Sequence, residues 1–217
     1  MAVEKEVKIA LSKHRGLNYD ELGSRVFGEL WISDDDSYDV EIDLKGYPRF
    51  FPSVYETSER IPRDNPNRHV YTDTGSCCLT TRAKGQILLR TEVTSFLLFI
   101  DKVVIPYFQN NSFYELNYKY FDEEYSHGPL GIVESYAEIL QLTNPLQIAS
   151  TLYNLITNGK LRVHNPCYCG SGIPLKKCKN GLHDKCYRNL RKVDKDVIKY
   201  DLYVEFGALF DAAKNKA

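Results

Sequence analysis

Apolar positions recur at helical spacing over residues 4–14, which predicts a short amphipathic helix. Two strand-like runs follow, "SRVFGELWIS" and "YDVEIDLKG", with apolar residues in partial alternation. The acidic cluster "DDDS" between them has turn chemistry. A third strand is predicted in "YPRFFPSVYE", but Pro48 and Pro52 have no N–H to give to a ladder along its first half. Residues 57–90 then lose any period and read as a long loop, of the kind that carries function inside a compact domain. Helical spacing returns over 91–110 at Val93, Phe96, Leu97, Ile100, Val103, Val104 and Tyr107, with Pro106 expected to kink or end the helix. A second helix is predicted near 131–141. A third opens at Asn144-Pro145, with Asn at the N-cap and Pro at N1, and Gly159 ends it. A charged helix is predicted over 187–206, with Leu190, Val193, Val197 and Tyr200 on one side. Strands first and helices after give an α+β class, an antiparallel meander flanked by helices.

Length allows one good core, or one core with a small appendage, in 217 residues. The expected boundary falls near residue 160, giving a first domain over 1–160 and a tail over 161–217. The 28 basic side chains nearly cancel the 29 acidic ones, so no global charge steers the chain to nucleic acid or to an anionic membrane. The local basic run at Lys176, Lys177, Lys179, Lys185, Arg188, Arg191 and Lys192 reads as a solvated face. Residues 1–16 are charged throughout, unlike a signal peptide, and the longest apolar run, "FLLFI" at 96–100, is far below the ~20 residues of a membrane span. The expectation is a cytoplasmic protein with reduced thiols. Its six cysteines then read as metal ligands or reactive thiols.

Four of them, Cys167, Cys169, Cys178 and Cys186, crowd into the tail. Zinc takes four soft or borderline ligands in a tetrahedron, and Cys167-x-Cys169 followed by Gly170, Ser171 and Gly172 suits a tight knuckle. The segment "CYCGSGIPLKKC" resembles the SEC-C motif, a small zinc knuckle whose pattern is Cys-x-Cys, eight residues, then Cys followed at once by Cys or His. The match holds through Cys178 and then fails, because Lys179 is no ordinary ligand. The fourth ligand comes from His183 or Cys186, with His183 favoured because it is nearer. Four protein ligands would make such a zinc structural.

The other two cysteines, Cys77 and Cys78, lie in "HVYTDTGSCCLTT". In extended backbone adjacent side chains point to opposite faces, so one of the pair is expected inside and the other accessible. The residues alone do not say whether this is a packed pair or a nucleophile. The order of elements, with Tyr47, Pro48 and Pro52 in the third strand and Gly75-Ser76-Cys77-Cys78-Leu79 after a long flap, resembles the ubiquitin-conjugating enzyme family. Bacterial relatives of that fold are closer still to "RIPRDNPNRHVYTDTGSCCL". The resemblance covers roughly residues 1–140. It implies that Cys78 is the nucleophile, that Cys77 faces inward, and that an acyl group held as a Cys78 thioester passes to an amine. It also places His69 and Tyr71 beside the reaction, with Tyr71 where the relatives have an asparagine that assists lysine attack. The cluster Glu123, Glu124, Ser126 and His127 adds His127 as a candidate base or lysine-orienting group. His69 and His127 each also have a plain reading, as a loop anchor and a structural histidine.

Joined to a SEC-C-like tail, the whole resembles the stand-alone conjugating proteins of bacterial antiphage islands, the cyclic-oligonucleotide-based antiphage signalling systems (CBASS) of the short type-two layout. The resemblance implies a protein partner with an exposed C-terminus, a cGAS-like nucleotidyltransferase. The competing expectation is a conjugating-enzyme-like scaffold that binds a protein without catalysis; a third and weaker one is a nucleic-acid adaptor using the basic zinc segment, against which the near-neutral net charge speaks.

Overall fold

The computed structural model describes residues 2–121 and 125–214. Glu123 and Glu124 lie outside the described residues. The chain divides into two units, Met1–Thr80 with Leu88–Glu124, and Thr81–Ile87 with Tyr125–Ala217.

The first unit opens with helix α1 (Ala2–Lys13), which buries Val7 and Ala10 on one side. A four-stranded antiparallel sheet follows in chain order: β1 (Leu17–Asp20), β2 (Arg25–Trp31), β3 (Ser37–Asp43) and β4 (Ser53–Glu56). The meander is thus as predicted, with β1 added; at four residues it is too short for its alternation to stand out. Register aligns Val26 with Ile42 and Ile42 with Val54, so the buried residues of successive strands share one face. Gly28 has φ +127°, and a Cβ there would lie 2.4 Å from the Gly16 carbonyl, so this point of β2 takes no side chain.

Two predicted elements differ. The third strand shrinks to Ser53–Glu56, because the chain from Leu44 to Phe50 is spent on turns in which Tyr47 donates to the Leu44 carbonyl and Arg49 and Phe50 to that of Gly46. Pro106 does not end its helix. Helix α3 (Phe96–Phe99) passes through a π-helical turn at Ile100–Val104 into α4 (Ile105–Asn117). The Ile105 N–H reaches back five residues to the Ile100 carbonyl, and this widened turn relieves the clash that a proline ring makes in a regular helix. Phe96, Phe99, Ile100, Val104 and Phe108 from this rod pack onto the sheet residues Val26, Leu30, Tyr38, Val40, Ile42 and Val54 in one core. Glu6 of α1 fastens the rod, accepting from the Tyr47 hydroxyl at 2.5 Å and the Phe96 amide at 2.9 Å.

The second unit is helical. It takes in most of α2 (Arg82–Leu89), which lies inside the stretch read as irregular. Then come α5 (Pro129–Leu140), α6 (Pro145–Thr157), α7 (Leu182–Leu190), α8 (Lys195–Tyr200) and α9 (Gly207–Lys214). Asn144 caps α6 as expected, its side chain accepting from Leu146 and Gln147 amides. The single helix expected over 187–206 is broken. Helix α7 stops at Leu190, the chain turns, and Asp194 starts α8, with its N–H held at 2.7 Å by the Gln86 side chain of α2. A local pattern could not show that tertiary bond. A second π-helical turn, Asp201–Phe206, joins α8 to α9. The tail beyond 160 shares this unit with α5 and α6, burying Tyr136, Leu140, Ile148, Leu152, Leu190, Ile198 and Phe206. No helix among the described residues is long and apolar enough to cross a membrane.

Candidate metal centre and thiol site

Cys167, Cys169, Cys178 and His183 present ligand atoms that all lie within 4.8 Å of one another. Local chain geometry builds this group from three pieces. Gly170 and Gly172, both at positive φ, fold the knuckle so that the Cys167 amide donates to the Ile173 carbonyl and the Gly170 amide to that of Cys167. A tight turn through Leu175–Gly181 then delivers Cys178. The departure from the SEC-C pattern follows directly. Lys179, Asn180 and Gly181 take three successive left-handed conformations, with φ 45°, 55° and 85°. For Lys179 such backbone costs on the order of 1–2 kcal/mol, whereas Asn180 is of a type that visits it readily. The excursion swings the chain back so that His183, in the first turn of α7, enters the cluster. Its Nδ1 lies 3.1 Å from Cys167 Sγ and 3.3 Å from Cys178 Sγ, and Cys169 Sγ lies 3.5 Å from Cys178 Sγ. A tetrahedral ion with ordinary metal–sulfur and metal–nitrogen bonds spaces its ligands roughly 3.5–3.8 Å apart, so an ion would push the two closest sulfur–nitrogen pairs apart by a few tenths of an ångström and draw in any pair near the 4.8 Å limit. Cys186 is buried one turn along α7 and is not in the group.

The electrostatics suit a cation. Burial, and then the Lys179 charge, hold the His183 imidazole below its ordinary pKa, in the neutral form that ligates. Burial pushes the Cys167 thiol up to about 12. For Cys169 burial acts upward as well, but hydrogen bonds from the Ser171 hydroxyl and amide outweigh it and bring the thiol down to about 7. Three sulfurs so close resist becoming thiolates together unless a cation neutralises them. His183 Nε2 is buried with no hydrogen-bond partner among the described residues. Around the group, Tyr168 stacks on the His183 ring with centroids 4.9 Å apart and donates to the Leu140 carbonyl. Gln147 of α6 donates to the Cys169 carbonyl at 2.8 Å. Neither Tyr168 nor Gln147 was named from sequence: one is the free position of Cys-x-Cys and the other is an ordinary helix residue.

The cysteine pair sits in the first unit. Residues 70–77 fold back on themselves, with Val70 bridging Cys77, Tyr71 donating to the Ser76 carbonyl and Gly75 to that of Tyr71. Gly75 has φ +73°, and the Arg63 guanidinium lies over it, 3.0 Å from where a Cβ would be. The Cys77 amide donates to Val54 at 2.7 Å, extending the sheet beyond β4, and the Cys78 amide to His69 at 2.7 Å. Alternation then separates the two side chains. Cys77 is buried, and burial pushes its thiol up to about 12. Cys78 is half-buried, and its Sγ lies 3.4 Å from the hydroxyl of Tyr71, which is half exposed.

His69 is buried at φ 51°. Its carbonyl accepts from both Cys78 and the buried Tyr107 hydroxyl, and its ring meets Tyr120 edge-on. Behind it, Arg68 is ion-paired to Glu115 and donates to Asn111. His127 is exposed, precedes α5 and lies in the second unit. Tyr107 and Arg63 also adjoin the loop; the sequence marked Arg63 only as part of the flap opening "RIPR" and Tyr107 only as a helix position. Comparison of the chain with protein-family models, curated proteins and solved structures finds no match.

Proposed function

We propose that the protein is a ubiquitin-conjugating-enzyme-like acyltransferase whose nucleophile is Cys78. The observation that supports this reading is the split between two adjacent thiols. Cys77 is buried and held protonated, whereas Cys78 is open to solvent beside a hydroxyl. In the proposed reaction the Cys78 thiolate attacks an activated carbonyl at a partner's C-terminus. The activating group leaves and a thioester remains. A lysine amine then attacks the same carbon, the Cys78 thiolate departs, and the amine's proton passes to solvent. Tyr71 holds the sulfur between the two steps. Its hydroxyl belongs to the residue that stands where the family has an asparagine, and it lies 3.4 Å from the sulfur, accepting from the thiol. The antiphage setting supplies a cGAS-like nucleotidyltransferase as acyl donor and the cytoplasm as the compartment. In the tail, Cys167, Cys169, Cys178 and His183 would hold zinc, whose part is structural because four protein ligands leave no open position.

The test is adduct formation between the purified partners and their activating enzyme. Cys78→Ala abolishes both the thiol-sensitive and the thiol-resistant adducts, and Cys78→Ser traps an ester that excess thiol cleaves slowly. Cys77→Ala keeps both adducts. A second reading, a scaffold that binds the partner without catalysis, draws on the same Tyr71, which partly covers the thiol. No adduct on the parent protein, with full antiphage activity in Cys78→Ala, would refute the enzyme and leave the scaffold.

A further inference from the structure

Charge is segregated along this chain. Residues 160–199 hold eleven Lys and Arg against three Asp and no Glu, a net of +8, whereas the whole chain is at −1. A divalent ion held by three thiolates subtracts only one from that segment. Near neutrality of the whole does not cancel the local field, because salt screens exposed charges beyond a Debye length of about 8 Å at physiological ionic strength.

The structure gives the segment an orientation. Helix α7 turns His183, Cys186, Tyr187 and Leu190 inward, so Lys185 and Arg188, three residues apart, line its other side, and Arg191 is exposed just past its end. Lys176 and Lys177 are exposed on the turn that packs against α7. Four of these cations, Lys176, Lys177, Lys185 and Arg191, are exposed and make no side-chain hydrogen bond or ion pair among the described residues. A structural role in the fold does not account for them.

We infer that this face of the metal-binding segment binds the phosphate backbone of duplex nucleic acid. Eight of the eleven cations are lysines, which protein–protein interface cores exclude and which phosphates accept as point charges. The segment's tyrosines are engaged internally, Tyr168 stacking on His183 and on Tyr187, and the exposed Tyr200 that follows holds the Arg82 guanidinium 5.5 Å from its ring centroid, which leaves no exposed tyrosine without a partner of its own among residues 160–200. A protein hot spot or a single-strand stacking platform would need one. A continuous array of phosphates needs none. Contacts of this kind carry no base sequence.

The test is fluorescence anisotropy of labelled duplex DNA of about 20 base pairs with the full metal-loaded chain, from about 50 to about 200 mM KCl. Four phosphate contacts predict a loss of affinity of about 10²-fold across that range. Lys176→Glu/Lys177→Glu and Lys185→Glu/Arg191→Glu each weaken binding and flatten the salt slope, by roughly one per contact removed. Lys5→Glu/Lys102→Glu, with the same charge change in the first unit, does neither. Metal content and circular dichroism confirm that the variants fold, and Gln versions of both pairs give the same order with a smaller effect. Cys78→Ala binds like the parent, which separates this inference from the acyl-transfer reading. It is overturned by absence of binding at the lowest salt, by equal loss in the first-unit control, by tighter binding of a single strand, or by equal competition from polyglutamate, which would assign the face to an acidic protein.

Discussion

Single residues decide both candidate sites, and each can be asked a separate question. His183 is fully buried and places Nδ1 against two sulfurs, whereas Cys186 is buried without joining them. His183→Ala should therefore release the metal, read by metal analysis and by a chelator titration. Cys186→Ala should keep it and lose only packing, about 1 kcal/mol or more for a small buried side chain. Retention in His183→Ala with loss in Cys186→Ala would reverse the assignment. Tyr71 poses the second question. Its hydroxyl is 3.4 Å from Cys78 Sγ, so Tyr71→Phe removes a partner of the sulfur, whereas Tyr71→Asn restores the residue type that the resemblance expects. If Tyr71 is a weak substitute donor to the oxyanion, Tyr71→Asn speeds transfer to lysine, by up to the ~10²–10³ that one oxyanion donor supplies, and leaves thioester formation unchanged. Single-turnover gels that resolve the two adducts measure both rates. An equal change in both steps would place Tyr71 in thiol activation alone.

At the scale of elements, backbone devices hold what side-chain pattern proposes. Asn144 accepts two amides at the start of α6, the helix whose Gln147 reaches the Cys169 carbonyl. Asn144→Ala should cost about 1 kcal/mol, and Asn144→Asp or Asn144→Ser should recover most of it, as read by chemical denaturation of the second unit. Equal losses in all three would deny the cap its energy. This helix was legible because its start and stop signals are local, with Asn-Pro before it and Gly159 after. So was the meander, whose strands alternate, and so were three of the four cluster members, which sit at fixed spacing around Gly170 and Gly172. The illegible parts depend on tertiary contact or on uncommon backbone. Helix α2 has a weak pattern that the flap around it conceals. The break after Leu190 is held by Gln86, more than a hundred residues earlier in the chain. The helix through Pro106 survives by a π-helical turn that no residue advertises. For the fourth cluster member, the excursion runs through Lys179, a residue type that avoids left-handed backbone, so only nearness in sequence favoured His183 over Cys186.

At the scale of the whole molecule, stability should respond to pH through a buried carboxyl that neither candidate site uses. Asp201 is nearly inaccessible, and it accepts from the Tyr136 hydroxyl at 2.8 Å. Burial raises its pKa from 3.8 to about 6; the Tyr136 hydrogen bond and Arg82 offset that only in part, and Glu205 adds to it. A carboxyl whose folded pKa is raised favours the fold in its protonated form. Its contribution is fully present below the unfolded pKa and is lost as pH rises through about 6. By linkage the loss is on the order of 2–3 kcal/mol above that pH. The metal cluster has the opposite dependence, because falling pH protonates its ligands. A pH profile of the parent protein alone therefore mixes two trends of opposite sign. Asp201→Asn isolates one of them, since asparagine keeps an acceptor for Tyr136 and removes the titration. At about pH 8 the variant should be more stable than the parent by up to that amount, and the advantage should shrink towards zero by about pH 4. Denaturant unfolding of both proteins with the metal bound, at matched ionic strength, gives the difference at each pH. A constant difference across the range would mean that Asp201 does not change its charge on folding, and that its partners hold it as a carboxylate even at this depth.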